Sequence, residues 1–242
     1  MSSDAFRWQS AAITDVGKVR KLNEDSILER GDAGLWVVAD GMGGHSAGDL
    51  ASQLIVNSLA KLDTSGALPD FVERVEEAVQ SVNDRLFAVA NSHNQTSGST
   101  VVMLLVSGRH AVVMWAGDSR CYLLRGGEIR QLTTDHTQIE LFIAKGLLTR
   151  AEAVGHPSGN MVTRAVGVTD CLFLEMDLLE LRDGDRFLLC SDGLDKHLKD
   201  EEIAQHLRGE DPQTVARTLI DQTLARGAMD NVSVCVVKVT RN

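Results

Sequence analysis

The sequence predicts an α+β chain in which one β-sheet packs on another and helices cover the outside. Strand-like segments come in runs separated by short turns, and helical repeats come in pairs between those runs. One strand does not alternate regularly with one helix, as it would in a parallel α/β sheet. The 242 residues contain no Pro/Gly/Ser-rich linker and no low-complexity run, so residues 1–242 are expected to form a single domain.

The first part of the chain predicts three strands followed by two helices. The strands are WQSAAITD, EDSILER and GLWVVAD, each short and largely apolar or alternating. Apolar residues at helical spacing follow in AGDLASQLIVNSLAKL and in PDFVERVEEAVQSVNDRLFAVANS. The second helix opens with Pro69, which is favourable in a first turn. We expect the two helices to pack as a pair.

The middle of the chain predicts strands at hairpin spacing. The segments are TVVMLLVS, HAVVMWAGD and RCYLLRGGEIRQL, with turns at Gly108 and at Gly126-Gly127. Because the links are short, we expect these strands to be antiparallel neighbours. From Thr133 to Val168 the pattern is irregular, with a short helix around TQIELFIAKG.

The last part predicts a hairpin, two helices and a final strand. LFLEMDLLEL and DRFLLCSDG form the hairpin, which we expect to turn at Asp183-Gly184. The helices are DEEIAQHL and DPQTVARTLIDQTLARG, and the last strand is NVSVCVVKV.

Composition excludes several classes of protein. A net charge of −10 argues against a protein that holds nucleic acid or anionic lipid through its overall field, so we expect neither as a partner. The first residues lack the order of a signal peptide and no apolar run is long enough to cross a bilayer, which favours a cytoplasmic location. The four cysteines show no zinc-binding spacing and are expected to be buried, reduced thiols.

Carboxylates recur where strands stop or start. Asp40, Asp118 and Asp192 follow apolar strands, and Asp230 precedes the last one. Strand ends in a sheet scaffold present side chains to a shared cleft, and Glu24 and Asp25 add two more acids beside a strand start. Aspartate also marks ordinary turns for reasons of backbone torsion, so each position alone has a plain structural explanation.

Clustered acids without matching lysines favour a hard divalent ion, Mg²⁺ or Mn²⁺. A pair of such ions would activate a bridging water to attack phosphorus. Gly41 would let its own carbonyl approach a metal, and the glycines after it would let the chain turn into the next helix. A dinucleotide-binding GxGxxG loop is excluded, because Ser46 occupies the position of the last glycine and no βαβ unit precedes it.

Arg20 precedes the acids Glu24 and Asp25 by only a few residues. A lone arginine is usually a surface residue, but an acidic cleft that handles phosphoryl groups needs a fixed fork for the oxygens that are not attacked. We favour that role for Arg20.

The motifs TDVGKVRKLNED, VVADGMGGHSAGDLAS, SGSTVVMLLV, WAGDSRCYLLRGGEIRQLTTDHT, VTRAVG, LLCSDGL and DNVSVCVV resemble, in this order, those of the metal-dependent protein phosphatases (PPM, type 2C), bacterial branch. The resemblance runs from about Thr14 to Val237. It implies a four-layer αββα sandwich, in which helix pairs flank two mainly antiparallel sheets. It also implies hydrolysis of phosphoserine and phosphothreonine in proteins, dependent on Mg²⁺ or Mn²⁺, by direct attack of a metal-bridging hydroxide.

The resemblance also implies roles for individual residues. Asp40 matches the ligand that bridges two metals, and Gly41 matches a carbonyl ligand. Asp192 and Asp230 match ligands of the first metal, while Glu24 and Asp25 act on the second metal or through its waters. Two further residues complete this set: Asp118, which matches the ligand of a third, weaker metal shared with Asp192, and Arg20, which matches the phosphate-binding arginine.

One position departs from the pattern of many relatives. Those relatives carry a histidine, assigned as general acid, where this chain has Met42, although bacterial members often share the methionine. His45 is the nearest replacement, and packing or capping of the next helix is an equal explanation for it. A metal-bound water is the remaining alternative.

The irregular segment from about Asp135 to Pro157 matches the family's variable flap, which we expect to influence substrate choice. His136 lies in it and is interpreted as a loop histidine. The expected partners are phosphorylated proteins, including a Ser/Thr kinase whose phosphorylation the enzyme reverses, and the expected state is a monomer.

Three rival functions are weaker. Cys235 and Arg241 satisfy the bare spacing of a thiol phosphatase, but the residues between them alternate like a strand and contain no glycine to wrap a phosphate. A non-catalytic phosphoprotein binder has no chemical need for a full ligand set. A two-metal nuclease would need basic tracks, which the net charge does not favour.

Overall fold

The computed structural model describes residues 6–43, 47–93, 97–159 and 161–242, which form two antiparallel sheets packed face to face between layers of helices. The strands of the described residues, in chain order, are β1 (Phe6–Asp15), β2 (Asp25–Arg30), β3 (Leu35–Gly43), β4 (Ser97–Ser99), β5 (Val101–Ser107), β6 (His110–Ala116), β7 (Arg120–Arg125), β8 (Glu128–Gln131), β9 (Glu175–Glu180), β10 (Arg186–Cys190) and β11 (Val232–Arg241). The helices are α1 (Ala47–Leu59), α2 (Leu68–His93), α3 (Gln138–Ala144), α4 (Arg150–Ala153), α5 (Asp192–Asp195), α6 (Asp200–Leu207) and α7 (Pro212–Ala225).

The two sheets divide the strands between them. The first sheet has the order β1-β11-β10-β7-β8, and the second has the order β2-β3-β5-β6-β9, with β4 paired to the end of β3. Side chains that alternate along these strands fill three apolar layers. Trp36, Leu104 and Phe187 lie between the sheets and are fully buried.

Helices cover both outer faces. The apolar stripe of α1 and α2, with Ile55 and Val79 fully buried, packs on the second sheet. Leu219 of α7 and Ile203 of α6 belong to the matching layer on the first sheet. Helix α7 begins with Asp211 as its N-cap, whose side chain accepts a hydrogen bond from the Thr214 amide. The predicted α+β, four-layer αββα class is confirmed.

Two predicted strand pairings are wrong. Strand β6 does not pair with β7, because the short link after Ala116 passes from the second sheet to the first. Strand β9 does not pair with β10 either. It pairs with β6 in the second sheet, whereas β10 pairs with β7 and β11 in the first. The turn at Asp183-Gly184 therefore links the two sheets instead of closing a hairpin. Its amide at Gly184 donates to Val239 O of β11 at 3.1 Å.

Other differences are smaller. Strand β3 continues beyond Asp40 to Gly43, because Ser97–Ser99 supplies a short partner strand that its polar sequence did not signal. The segment 135–157 contains two short helices, α3 and α4, where one was expected. Within the described residues, no helix combines the length and apolar character needed to cross a membrane.

Candidate active site

An open cleft of about 510 Å³ lies where several strand ends meet at one edge of the sandwich. Seven of the nine residues singled out from the sequence line it: Arg20, Glu24, Asp40, Gly41, Asp118, Asp192 and Asp230. Asp25 lies beneath the cleft and is 5% exposed. His45 lies outside the described residues. Acids from five separate parts of the chain therefore reach one place, as their positions near strand ends predicted.

Asp25 and Asp40 are brought together by the β2–β3 ladder, in which they are direct antiparallel partners. Oδ2 of Asp25 accepts hydrogen bonds from Ser191 Oγ and Ser233 Oγ, both at 2.7 Å. Ser233 lies in β11 of the first sheet and Ser191 directly follows β10 of the same sheet, whereas Asp25 belongs to the second, so the three side chains join the sheets below the cleft. The other oxygen of Asp25, Oδ1, is buried and has no hydrogen-bond partner.

The electrostatics at this point oppose ionised carboxylates. Burial raises the pKa of Asp25 to about 6, although the two serine hydrogen bonds act in the opposite direction. Burial also raises the pKa of Asp40 well above its usual range, and the negative charges of Asp25, Asp192 and Asp118 add to the shift. The folded chain thus holds acids where their charge is unfavourable unless a cation is nearby.

Gly41 lies where three backbone segments converge. A Cβ added at Gly41 would lie 2.1 Å from Gly48 O and 2.7 Å from Glu24 O, closer than real contacts allow. Its amide donates to Glu24 O at 3.1 Å, and the Glu24 amide donates to Asn231 Oδ1 at 2.8 Å. The absence of a side chain at Gly41 therefore lets β3, α1 and the acidic loop before β2 approach one another.

Asp118 and Asp192 also line the cleft and together form the part of its wall where the charge of Asp192 acts on Asp118. Asp118 follows β6 in the link between the sheets and is 8% exposed. Burial, followed by the charges of Asp192 and Asp135, raises the pKa of Asp118 to about 7. Asp192 is the first residue of α5, and its Oδ1 is buried without a hydrogen-bond partner.

Two basic side chains reach into this acidic cleft. Arg20 Nε lies 2.9 Å from Asp230 Oδ1, and Arg20 Nη2 lies 3.0 Å from Asp230 Oδ2. The ammonium of Lys196 forms an ion pair with Asp192 Oδ2 and lies 3.7 Å from Asp230 Oδ2. The expectation of acids without a matching lysine is therefore wrong. Burial alone would lower the pKa of Lys196, but the charges of Asp192, Asp230 and Asp118 outweigh it and raise the pKa.

Sequence reasoning missed Lys196, although a signal was present. Lys196 stands four residues after Asp192 in SDGLDK, the spacing at which two side chains share one face of a helical turn. Ser191 and Ser233 were also missed, because serines inside strands and turns carry no periodic signal.

The donor set fits divalent cations. Among the described residues, no three acidic, histidine or cysteine side chains converge closely enough to form a ready metal cluster, and Arg20 and Lys196 pair with two of the acids instead. Five carboxylates and only these two basic side chains nevertheless line the described part of the cleft. Buried oxygens of Asp25 and Asp192 remain without partners. Hard oxygen ligands with unsatisfied negative charge are those that Mg²⁺ and Mn²⁺ prefer.

His136 lies behind the Asp118 wall and is not the plain loop histidine that the sequence suggested. It is 8% exposed and stacks on Trp115 with ring centroids 6.1 Å apart. Its Nδ1 accepts a hydrogen bond from the Gly117 amide at 3.0 Å, and its Nε2 lies 3.1 Å from Glu175 Oε1. The neutral ring with its proton on Nε2 satisfies both contacts. Burial, with the charge of Arg164, lowers the pKa of His136.

The thiol alternative has no support in the geometry. Cys235 lies in the centre of β11, is fully buried and is not part of the cleft. Burial raises the pKa of its thiol well above the usual range, which suppresses the thiolate. All four cysteines are free and three are buried, but Cys171 is exposed, contrary to the expectation that every thiol is buried.

Comparison with known proteins identifies the family of this chain. The family model for protein phosphatase 2C matches residues 18–225. The serine/threonine protein phosphatase PstP of Mycobacterium tuberculosis is 38% identical over 231 residues, which are 95% of this chain and 44% of that protein. This chain thus spans less than half the length of that curated relative.

Solved structures extend the agreement to the fold. PppA, described as a key regulatory component of T6SS in Pseudomonas aeruginosa, superposes with a TM-score of 0.90 at 42% identity, over 96% of this chain and 98% of that chain. The catalytic domain of PstP in complex with two manganese ions superposes with a TM-score of 0.87 at 36% identity, over 97% and 99% of the two chains.

The fold and the acidic cleft together define a PPM-type phosphatase domain. The chain belongs to the protein phosphatase 2C family, the family of metal-dependent serine/threonine protein phosphatases.

Proposed function

We propose that this protein hydrolyses phosphoserine and phosphothreonine in proteins, with Mn²⁺ or Mg²⁺ as cofactor and water as the direct attacking group. The observation that carries the proposal is the meeting of Glu24, Asp40, Asp118, Asp192 and Asp230 in one cleft. These residues come from distant parts of a chain that belongs to the protein phosphatase 2C family.

The proposed ligands follow the cleft from its floor to its walls. Asp40 would bridge two ions, and the carbonyl of Gly41 would bind one of them. Asp192 and Asp230 would bind the first ion, and Glu24 and Asp25 the second, directly or through water. Asp118, with Asp192, marks the place where a third ion would lie if the cleft admitted one. When bound, the ions would lower the pKa of a water molecule and offset the charge of the phosphoryl group.

The protein's own side chains hold the substrate and move protons. Arg20 presents a guanidinium fork at the mouth of the cleft, half exposed, and is proposed to bind phosphoryl oxygens after releasing Asp230. Asp25, held by Ser191 and Ser233, is proposed to orient the attacking water through its unpartnered oxygen. His45 is kept as the proposed general acid because the side chain of Met42, which lines the cleft, has no proton to give.

The wider setting is also proposed. Residues 1–242 would act as one catalytic domain, monomeric and cytoplasmic, with 135–157 as a flap that influences substrate choice. The partners would be phosphorylated proteins, among them a Ser/Thr kinase of a bacterial signalling pathway, and would include neither nucleic acid nor membrane. The net charge of −10 supports the exclusion of polyanionic partners.

A substrate panel tests the activity. Purified protein with Mn²⁺ is incubated with p-nitrophenyl phosphate, with matched phosphothreonine and phosphotyrosine peptides, and with an oligonucleotide. We expect turnover of p-nitrophenyl phosphate and of the phosphothreonine peptide. We also expect this turnover to be lost in EDTA and to be unaffected by thiol alkylation. Cleavage of the oligonucleotide alone would favour a nuclease, and inhibition by alkylation would favour a thiol enzyme.

Matched variants locate the activity. Asp192→Asn should abolish Mn²⁺-dependent turnover, whereas Asp170→Asn, at an exposed position away from the cleft, should leave it unchanged. Full activity in a folded Asp192→Asn protein would exclude the proposed site.

A further inference from the structure

Lys196 lies inside the cleft and not on an outer surface. Its side chain is 32% exposed, and it lines the same space as the acids. Its ammonium pairs with Asp192 Oδ2, lies 3.7 Å from Asp230 Oδ2 and is near enough to Asp118 to interact with its charge. A single cation thus faces three carboxylates that belong to three different parts of the chain.

The backbone determines where Lys196 points. Asp192 and Lys196 lie one helical turn apart, and the Lys196 amide closes that turn by donating to Asp192 O at 3.2 Å. The turn is pressed against the start of β11, because a Cβ added at Gly193 would lie 1.9 Å from Asn231 O. Lys196 is therefore held beside both Asp192 and Asp230 by close backbone packing.

An ordinary surface ion pair does not explain this arrangement. Exposed pairs four residues apart in a helix contribute little to stability and are screened by salt. Lys196 instead lies in a recess where Asp118 is 8% exposed and one oxygen of Asp192 has no hydrogen-bond partner. These carboxylates favour a positive charge at this wall, and the ammonium of Lys196 provides one that is part of the chain itself.

We propose that Lys196 supplies a permanent positive charge at the wall formed by Asp118 and Asp192, and so replaces the third divalent ion that these acids would otherwise hold. The inference rests on the proposed two-ion function of the cleft. An ammonium at this wall repels an incoming divalent ion and occupies an oxygen of Asp192 that the ion would need. The enzyme would then bind two ions tightly and would have no usable third site.

The consequence for catalysis is specific. An exchangeable third ion makes activity depend on a second, higher range of metal concentration, whereas a covalently attached ammonium does not. We therefore expect activity to reach its plateau once two ions are bound.

The test counts bound Mn²⁺ by isothermal titration calorimetry and by the electron paramagnetic resonance signal of free Mn²⁺, neither of which needs turnover. Wild type, Lys196→Met, Lys196→Gln, Lys196→Arg and the control Lys61→Met, an exposed lysine away from the cleft, are compared after circular dichroism has verified their folding. Wild type, Lys61→Met and Lys196→Arg should bind two ions. Lys196→Met and Lys196→Gln should bind a third ion, with an affinity at least about 10-fold higher than any third-ion affinity of the wild type.

Each outcome decides the matter. A wild-type protein that binds three ions, or neutral variants whose stoichiometry and affinities equal those of wild type, would overturn the role of Lys196 while leaving the phosphatase function intact. A wild-type protein that binds fewer than two ions would overturn the proposed function as well. If neither neutral variant folds, the wild-type count of two or three still decides between support and rejection.

Discussion

Asp25 and Asp40 lie directly opposite each other in the antiparallel β2–β3 ladder, with the serine-bonded oxygen of Asp25 tied to the other sheet. The pairing brings two carboxylates to the floor of the cleft, where burial raises the pKa of both. The fold thus maintains an unfavourable charge arrangement. Such arrangements are typical of functional sites, where they are kept at a cost in stability.

The first prediction concerns this arrangement. Asp40→Asn removes one of the repelling charges while keeping nearly the same shape. The metal-free variant should therefore be as stable as wild type or more stable, by up to about 1 kcal/mol in the free energy of unfolding. Its Mn²⁺-dependent activity should fall more than about 100-fold, because a proposed bridging ligand is lost. Urea denaturation in EDTA and a phosphopeptide assay measure the two effects.

A stability loss of several kcal/mol in metal-free Asp40→Asn would contradict this view. It would mean that Asp40 serves packing or hydrogen bonding and not cation binding. Asp170→Asn provides the matched control, since the side chain of Asp170 is exposed.

The second prediction concerns the folded protein and its ions. Mn²⁺ binds the native cleft and not the unfolded chain, so each bound ion, at a concentration 100-fold above its Kd, should stabilise the fold by about 2.7 kcal/mol. For a domain of this size that corresponds to a rise in Tm of roughly 5–10 °C. Differential scanning calorimetry with and without EDTA measures the shift. A Tm that Mn²⁺ leaves unchanged would mean that the ions do not bind the folded chain. An equal rise in Asp40→Asn would place the ions away from Asp40.

The third prediction concerns Arg20. Its side chain is 51% exposed, so its two contacts with Asp230 are weak and easily exchanged for a phosphoryl group. Arg20→Ala should raise KM for a phosphothreonine peptide by about 10- to 100-fold, as expected for the loss of charge-assisted hydrogen bonds, with a smaller change in kcat. The variant should also reach half-maximal activity at lower Mn²⁺, because Asp230 is no longer held by a competing cation.

Steady-state kinetics at saturating Mn²⁺ separate these effects. Arg20→Lys keeps the charge without the fork and should give an intermediate KM. Arg7 lies on the edge strand β1 and does not line the cleft, so Arg7→Ala should behave as wild type. An unchanged KM in Arg20→Ala would remove Arg20 from the phosphate site.

Much of the fold was predictable because the signals are local. Period-two and helical apolar patterns placed the strands and long helices, and carboxylates at strand ends identified most of the cleft. Pairing between the sheets was not predictable in the same way. Asp183-Gly184 has the composition of a hairpin turn, but the choice of β7 and β11 as neighbours of β10 depends on packing between residues far apart in sequence.

Charge pairing in the cleft was only partly predictable. The spacing of Asp192 and Lys196 was visible in the sequence, but its meaning depends on Asp118 and Asp230 lying on the same side of the turn. The same limit applies to Ser191 and Ser233, whose role follows from the position of Asp25 between the sheets.

The fourth prediction concerns close backbone packing at Gly41. A methyl group there would lie 2.1 Å from Gly48 O, so β3 and α1 must separate. Gly41→Ala should lower the free energy of unfolding by about 1–3 kcal/mol and weaken Mn²⁺ binding, since Asp40 moves with the strand. Gly31→Ala is the control, because its nearest neighbour would be Ser10 Oγ at 3.4 Å. Equal stability of the two variants would show that the backbone yields at Gly41 without cost.

The fifth prediction concerns the pH dependence of stability. His136 in its neutral form accepts a hydrogen bond from the Gly117 amide, and protonation of Nδ1 would remove that acceptor. Its pKa is lowered in the folded state, so as pH falls below about 6.5 the unfolded chain takes up the proton first. The contribution of His136 to stability is therefore complete above pH 6.5 and is lost as pH falls through the lowered folded value.

Replacing His136 tests this contribution. Asn keeps an oxygen acceptor near the position of Nδ1 and does not titrate. In His136→Asn, the free energy of unfolding should fall less steeply between about pH 6.5 and 5 than in wild type, by at most about 1.4 kcal/mol per pH unit. His110→Asn, which replaces an exposed histidine at the start of β6, should keep the wild-type slope. Parallel pH profiles for His136→Asn and wild type would mean that His136 keeps its ordinary pKa in the folded protein, and that the Gly117 hydrogen bond does not depend on its neutral form.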